Sequence, residues 1–291
     1  MLEIEGLARP ESIELIAGRL PGLSPELADR VAEALGDLPL ALDQAVGLLR
    51  DTGVPVTDYL ALLHSQAGRV LGHRPGRDRM VAASWTVAFD RLAVNPAALL
   101  LLSLAAWLAP EPIPLTLFTQ HPERLPDPLP GVVSDPLAVA AVTGLVQRRG
   151  LAQVTPQTIR LHRVPAALLR DRDTMQRGAG TGLADTASVL AAVVPDQPSE
   201  VAAWPSWRLL LPHVFAVVGH GSDMPDEESA EDITYLLVRA GAYLCSQGQW
   251  RAALPLWERV HRRHLSRGGA DDPATLEAAR IVAQALGALG E

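Results

Sequence analysis

Lysine is missing from this chain: all 25 of its basic side chains are arginine, across 291 residues. A phosphate-binding loop of the form G-x-x-x-x-G-K-[ST] sets a lysine on the terminal phosphates of a nucleotide, so this chain holds none. Catalysis through a lysine Schiff base is excluded on the same ground. Cysteine is nearly as scarce. Cys245 stands alone, which rules out an intramolecular disulfide and a cysteine-built zinc centre. Its setting, 240-AGAYLCSQ-247, reads as that of a small core side chain. Long apolar runs are missing as well. The most hydrophobic stretch, 97-AALLLLSLAAWLA-109, falls well short of the ~20 residues a bilayer-crossing helix needs, and Pro96 and Pro110 close it off, so it reads as a buried helix. Glu3 and Glu5 stand where an export signal would carry positive charge. A cytoplasmic protein is the expectation.

What is present points to a folded chain of two or three domains: 48% of the residues are hydrophobic. The formal net charge of −8 repels polyanions.

Residues 10–70 carry the marks of a small helical bundle. Segment 10-PESIELIAGRL-20 opens on Pro and acids; 24-SPELADRVAEAL-35 has a Ser-Pro-Glu start and keeps Leu27, Val31 and Leu35 on one stripe, with Gly36 ending it. Asp37 is placed to cap the following helix, 39–51, which Pro39 opens in a first-turn position where its missing N–H is no loss. A fourth helix, 57–66, would be capped by Thr57. Segment 72-GHRPGRDR-79 reads as an exposed linker. Beyond it, helical spacing resumes through Val81, Trp85, Ala88 and Leu92, and Asn95-Pro96 restarts the chain into a helix over 96–108. A loop over 121–135 and a helix over 136–148 lead to 151-LAQVTPQTIRLH-162, two short runs of β character that read as a hairpin, and then to a helix over 164–172. Three helices, a hairpin and a trailing helix make a winged-helix-like unit. Residues 173–185, rich in Gly, Thr and Asp, read as mobile, and 186–220 as two more helices. An acidic run, 223-DMPDEESAED-232, marks a boundary. After it, Leu237, Gly241, Leu244, Gly248, Ala253, Trp257 and Val260 fall at the spacing of a tetratricopeptide repeat, and Ala283, Leu286 and Gly290 return in the phases of Gly241, Leu244 and Gly248.

In this order the chain resembles the C-terminal two thirds of signalling ATPases of the NB-ARC (STAND) class, in particular bacterial ones with a tetratricopeptide sensor. The resemblance covers residues 1–175 and 228–291. Its most specific piece is 36-GDLPLAL-42, similar to that family's Gly-Leu-Pro-Leu motif; 161-LHR-163 and 84-SWTVAFDRL-92 are similar to two stretches of its winged helix. The resemblance implies that Pro39 packs near the adenine of a bound nucleotide and that His162 reaches the β-phosphate of ADP, with ADP or ATP as cofactor in an intact relative and none in this chain alone. Arg163 departs from the acidic residue many members carry close by. The family's nucleotide-binding domain, with its P-loop, would precede residue 1. The chain itself is then expected to be no enzyme.

From the residues alone, Pro39 also reads simply as a helix-start proline, and His162 as a hydrogen-bonded hinge histidine. His261 and His264 stand at the i, i+3 spacing that can share a metal, but Arg262, Arg263 and Arg267 crowd them, so no metal site is expected. The stretch 259-RVHRRHLSR-267 reads as a solvated face or as a binder of an acidic peptide or phosphate. Ser134, His162 and Asp171 can be combined into a triad only on paper, since no G-x-S-x-G is present.

The expected fold is mainly α in four consecutive domains: a helical bundle over 1–75, a winged helix with one β-hairpin over 80–175, a helical spacer over 180–222 and tetratricopeptide repeats over 228–291. The expected function is that of a non-catalytic regulatory and protein-interaction module, carrying a nucleotide-dependent switch to a protein or peptide partner on the repeats. The alternative is a winged-helix DNA-binding transcriptional regulator. Against it, helix 135-DPLAVAAVTGLVQRR-149 offers only Gln147, Arg148 and Arg149 as base readers, all at one end.

Overall fold

The computed structural model describes residues 6–69, 76–221 and 227–290, with the side chains of 65–69, 76–81 and 227–230 left aside. The protein is mainly helical. In chain order the described elements begin with α1 (Arg9–Arg19), α2 (Pro25–Leu35), α3 (Pro39–Thr52), α4 (Val56–Arg69), α5 (Gly76–Leu92) and α6 (Pro96–Ala105). Next come β1 (Ile113–Pro114), α7 (Thr116–Thr119), α8 (Leu129–Val133), α9 (Pro136–Arg148), β2 (Gln153–Val154), β3 (Thr158–Arg160) and α10 (Arg163–Arg177). The remainder is α11 (Thr181–Val193), α12 (Trp204–His220), α13 (Glu227–Ser246), α14 (Trp250–Gly268) and α15 (Pro273–Leu289). Two compact units result, one of Met1–Leu102 with Asp135–Leu169, the other of Ser103–Ser134 with Arg170–Glu291. The division runs through the 80–175 segment rather than around it.

The first unit is built on short amphipathic helices with explicit starts and stops. The Ser24 hydroxyl accepts a hydrogen bond from Leu27 N at 3.3 Å at the head of α2, and Pro39 stands in the first turn of α3. Helices this short are marginal alone, so packing must hold them. Ile16, Val31, Leu35, Leu42, Leu63, Trp85, Phe89 and Leu92 are fully or nearly fully buried. Each such side chain contributes roughly 1.5–3 kcal/mol on leaving water, enough together to outweigh the weak intrinsic helicity. The β2–β3 hairpin is antiparallel, with Gln153 opposite Arg160 and Val154 opposite Ile159.

In the second unit α11 packs on α12 and α13, and α13, α14 and α15 pack in sequence. Trp207 of α12 stacks on Tyr243 of α13 with centroids 5.3 Å apart. Gly241 lets α13 and α14 approach closely, since a Cβ there would lie 2.6 Å from Nε1 of Trp257. The segment Val201–His220 has the length and hydropathy of a membrane-crossing helix. It buries Trp207, His213 and Val217 and exposes Val201 and Leu209.

Local structure departs from the sequence reading in several places. Helix α4 begins at Val56, with Tyr59 N bonded to the Pro55 carbonyl at 3.0 Å, so Thr57 lies inside the helix and is not its cap. Of the expected 72–79 linker, residues 76–79 are helical, and 72–75 lie outside the described residues. Helix α6 stops at Ala105 instead of 108 because the chain tightens there: Trp107 N bonds Leu104 O and Leu108 N bonds Ala105 O, each at 3.2 Å. The short helix α8 lies within 121–135, which the sequence reads as a loop. The expected mobile segment 173–185 is a tight corner between α10 and α11. Arg177 pairs with both Asp173 and Asp185, the Thr181 hydroxyl donates to Arg177 O at 2.9 Å, and the Asp173 carboxylate sits against Gly182 where a Cβ would otherwise be. Of the acidic run, residues 223–226 fall outside the described residues and 227–232 open α13.

Candidate functional site

The turn that presents Pro39 is set by two consecutive residues in the left-handed region, Gly36 at φ 66° and Asp37 at φ 57°. That conformation suits Gly and is tolerated by Asp, whose short side chain bonds locally. Here it aims the Asp37 carboxylate at the start of α1 rather than at α3. Arg9 takes it with a two-pronged grip, Nε to Oδ1 at 2.8 Å and Nη2 to Oδ2 at 3.0 Å, while Nη1 reaches Asp29 Oδ1 at 3.0 Å. The expected cap by Asp37 is therefore not formed: Leu38 is the N-cap residue of α3, and no side chain caps the helix. Leu7 N bonds the Asp37 carbonyl at 2.8 Å and Asp37 N bonds Ala32 O at 3.0 Å, so the turn is fixed from both sides. Pro39 itself is exposed between half-buried Leu38 and Leu40.

One face of α3 carries a buried polar chain. The Ser84 hydroxyl donates to Gln44 Oε1, and Tyr59 Oη lies 2.9 Å from Ser84 Oγ. Burial pushes the Tyr59 phenol pKa up, against a smaller opposite effect of Ser84. Gln44 is fully buried and its Nε2 finds no partner among the described residues.

The far end of α3 is gripped by the end of α9. A Cβ at Gly47 would stand 2.7 Å from the Arg148 carbonyl oxygen, and one at Gly150, which has φ 64°, would stand 2.8 Å from Cα of Gln44. Two backbones touch, and glycine on each side permits it. Beside this contact Arg149 Nε donates to Asp51 Oδ2 at 2.5 Å and Nη1 donates to the Arg91 carbonyl at 2.9 Å. Arg148 Nε lies 3.6 Å from Asp51 Oδ1. Arg149 is buried, so this fork ties α3, α5 and α9 together away from water.

The hairpin that follows Gly150 ends at His162, which is half-buried directly ahead of α10. Burial, and then the positive charge of Arg160, lower its pKa from the usual histidine value. The neutral ring keeps one N–H to donate at neutral pH. Pro39 and His162 belong to the same unit, linked through α3, the Gly47–Gly150 contact and the hairpin. Gly47 lies eight residues along α3 from Pro39, roughly 12 Å at the helical rise.

Sequence reasoning missed Arg9 and Asp51, and took Arg149 only as a base reader. Arg149 and Asp51 lie 98 positions apart, and no local spacing announces such a pair. Elsewhere, His261 and His264 are both half-buried on α14, and among the described residues no group of three His, Cys, Asp or Glu side chains is placed to hold a metal. The Ser134 hydroxyl is engaged by the Pro130 carbonyl at 2.8 Å. Cys245 is half-buried, and burial raises its thiol pKa.

No protein-family model matches this chain, and no curated protein or solved structure matches it.

Proposed function

We propose that the chain is the non-catalytic regulatory and interaction part of a STAND-type signalling NTPase, in which residues 80–175 act as a winged helix and residues 228–291 as tetratricopeptide repeats that receive a protein or peptide partner. The observation that carries this reading is the Gly36–Pro39 turn. It is held by Arg9, leaves Pro39 exposed at the head of α3, and sits on a helix whose other end is gripped by Arg149 and joined to the hairpin that ends at His162. A proline edge and a neutral histidine on one braced unit suit the two ends of a nucleotide supplied by an upstream domain, adenine at Pro39 and phosphate at His162. The unit then works as a lever: what happens at Pro39 is felt at the hairpin, and a partner on the repeats biases which arrangement is populated.

The face of α9 favours this reading over DNA recognition. Its exposed side carries Leu137, which is 80% exposed, with Ala140 and Ala141. Of the three residues that could read bases, Arg149 is spent on Asp51. Base readout needs several donors and acceptors on an exposed face.

The test is titration calorimetry with ADP alongside an ATP turnover assay on the purified chain. Absence of turnover supports the reading, and ADP heat that shrinks in Pro39→Ala and His162→Ala would assign the adenine and phosphate edges to those residues. Turnover that scales with the chain overturns it.

A further inference from the structure

The turn that presents Pro39 is held from outside. Asp37 sits at φ 57°, a left-handed conformation that a residue with a Cβ adopts at a cost. Such a conformation persists only where its surroundings over-determine it. On the α2 side, the Asp37 N–H donates to the Ala32 carbonyl at 3.0 Å. On the other side, a strap of residues 6–9 lies against the turn as it runs into α1, and Gly6, Leu7 and Arg9 each touch it differently. A Cβ at Gly6 would stand 2.9 Å from the Asp37 carbonyl oxygen and 3.2 Å from that of Gly36. Leu7 N donates to the Asp37 carbonyl at 2.8 Å. Arg9 forks onto the Asp37 carboxylate at 2.8 and 3.0 Å and reaches Asp29 of α2 at 3.0 Å. Between them Ala8 is extended, at φ −63° and ψ 144°, and its N–H donates to Glu11 Oε2 at 3.0 Å. One segment, remote in sequence, thus holds both the carbonyl and the carboxylate of Asp37.

We propose that the strap 6–9 is a release catch for the Pro39 edge: drawn away from the turn, it lets Asp37 leave the left-handed region, and Leu38 and Pro39 lose the orientation from which α3 starts. Gly6 and Ala8 are exposed, and Leu7 and Arg9 are half-buried. The strap therefore parts from the turn without opening the core around Ile16, Val31 and Leu42, which are buried on the helices beneath. It also has little slack. The chain from Gly6 to Arg9 spans about 10 Å when extended, and Ala8 is extended already, so a displacement at Gly6 reaches the Arg9 fork. Any element joined ahead of residue 6 acts on the catch through the main chain. With the strap seated the proline edge is presented, and with the strap drawn off it is not. The catch regulates the site of the proposed function and to that extent rests on that reading.

The experiment is residue-resolved hydrogen exchange on the full chain in Gly6→Ala and Arg9→Gln, with Gly18→Ala as the control. Gly6→Ala pushes the strap off the turn through a main-chain clash, and Arg9→Gln removes the fork; neither residue belongs to the core. Gly18 lies on α1 with nothing within 4 Å of an added Cβ. The amides that report are those of Leu7, Asp37, Leu38 and Leu42, each hydrogen-bonded in the strap, the turn or the first turn of α3. Expected in both strap variants is faster exchange at these four amides by one common factor, roughly fivefold, the worth of about one lost hydrogen bond. The amides of α5 and α13 should keep the parent rates, and Gly18→Ala should match the parent throughout. Acceleration at Leu7 without the turn, an equal acceleration in α5, or no change in either strap variant each overturns the proposal. The readout needs no nucleotide. ATP turnover with the coupled exchange intact rejects the proposed function alone, and no turnover with unchanged exchange at Asp37 rejects the catch alone.

Discussion

Glycine decides more at single positions of this protein than any reactive side chain does. A methyl at Gly47 would drive into the Arg148 carbonyl and one at Gly150 into Cα of Gln44, both main-chain obstacles that cannot swing aside. Gly47→Ala should cost about 1–3 kcal/mol through overpacking. Gly150→Ala should cost more, because it adds the strain of a side chain at φ 64°. Urea midpoints of the two variants check the order. Truncating Arg149 leaves the Asp51 carboxylate largely buried without its close partner, at a cost of about 3 kcal/mol. Arg149→Met is the gentler test of the charge than Arg149→Ala, since it retains the packing of the stem. Arg9→Ala should be milder, about 1–2 kcal/mol, because the guanidinium is a third exposed. What it removes is the hold on the Asp37 turn, so faster amide exchange over 36–40 is the expected sign.

At the scale of elements, the sequence was most legible where helices announce their own ends. α2, α3 and α9 start at Ser24, Pro39 and Asp135 as read from local residues, and the hairpin around Thr155-Pro156-Gln157 forms where β character flanks a turn. It was least legible where a distant partner decided. Asp37 has the chemistry of a cap, yet the backbone at φ 57° turns it to Arg9, 28 positions away. The corner at 173–185 looked loose by composition, but Arg177 binds an acid on each side of it. The candidate site shows the same split. Pro39 and His162 stood out by local motif, while the Gly47–Gly150 contact and the Asp51–Arg149 pair that connect them are tertiary and leave no spacing to read. One further prediction belongs here. Gly182→Ala would push into the Asp173 carboxylate and the indole of Trp107, so it should unpin α10 from α11 and raise amide exchange across 173–185.

Over the whole molecule, acid should be the chain's weakness. His162, His213 and His220 all have pKa values lowered from 6.5, each with burial as the first cause; the second is Arg160 for His162 and Arg170 for His220. His213 is opposed only by the Pro112 carbonyl and Glu111, which raise its value less than burial lowers it. A histidine lowered in the folded state takes up its proton more readily when unfolded. Stability is therefore fully present above about pH 6.5 and is lost as pH falls from there toward the lower folded values. Thermal midpoints should drop as pH falls below about 6.5, and His213→Gln should flatten that slope. The unifying claim is that the Pro39 turn, α3, the end of α9 and the β2–β3 hairpin behave as one lever. Hydrogen exchange in Arg149→Met tests it most directly. Amides of α3 and of the hairpin should lose protection together and by the same opening free energy. Loss confined to the hairpin, with α3 protected as before, would contradict the lever.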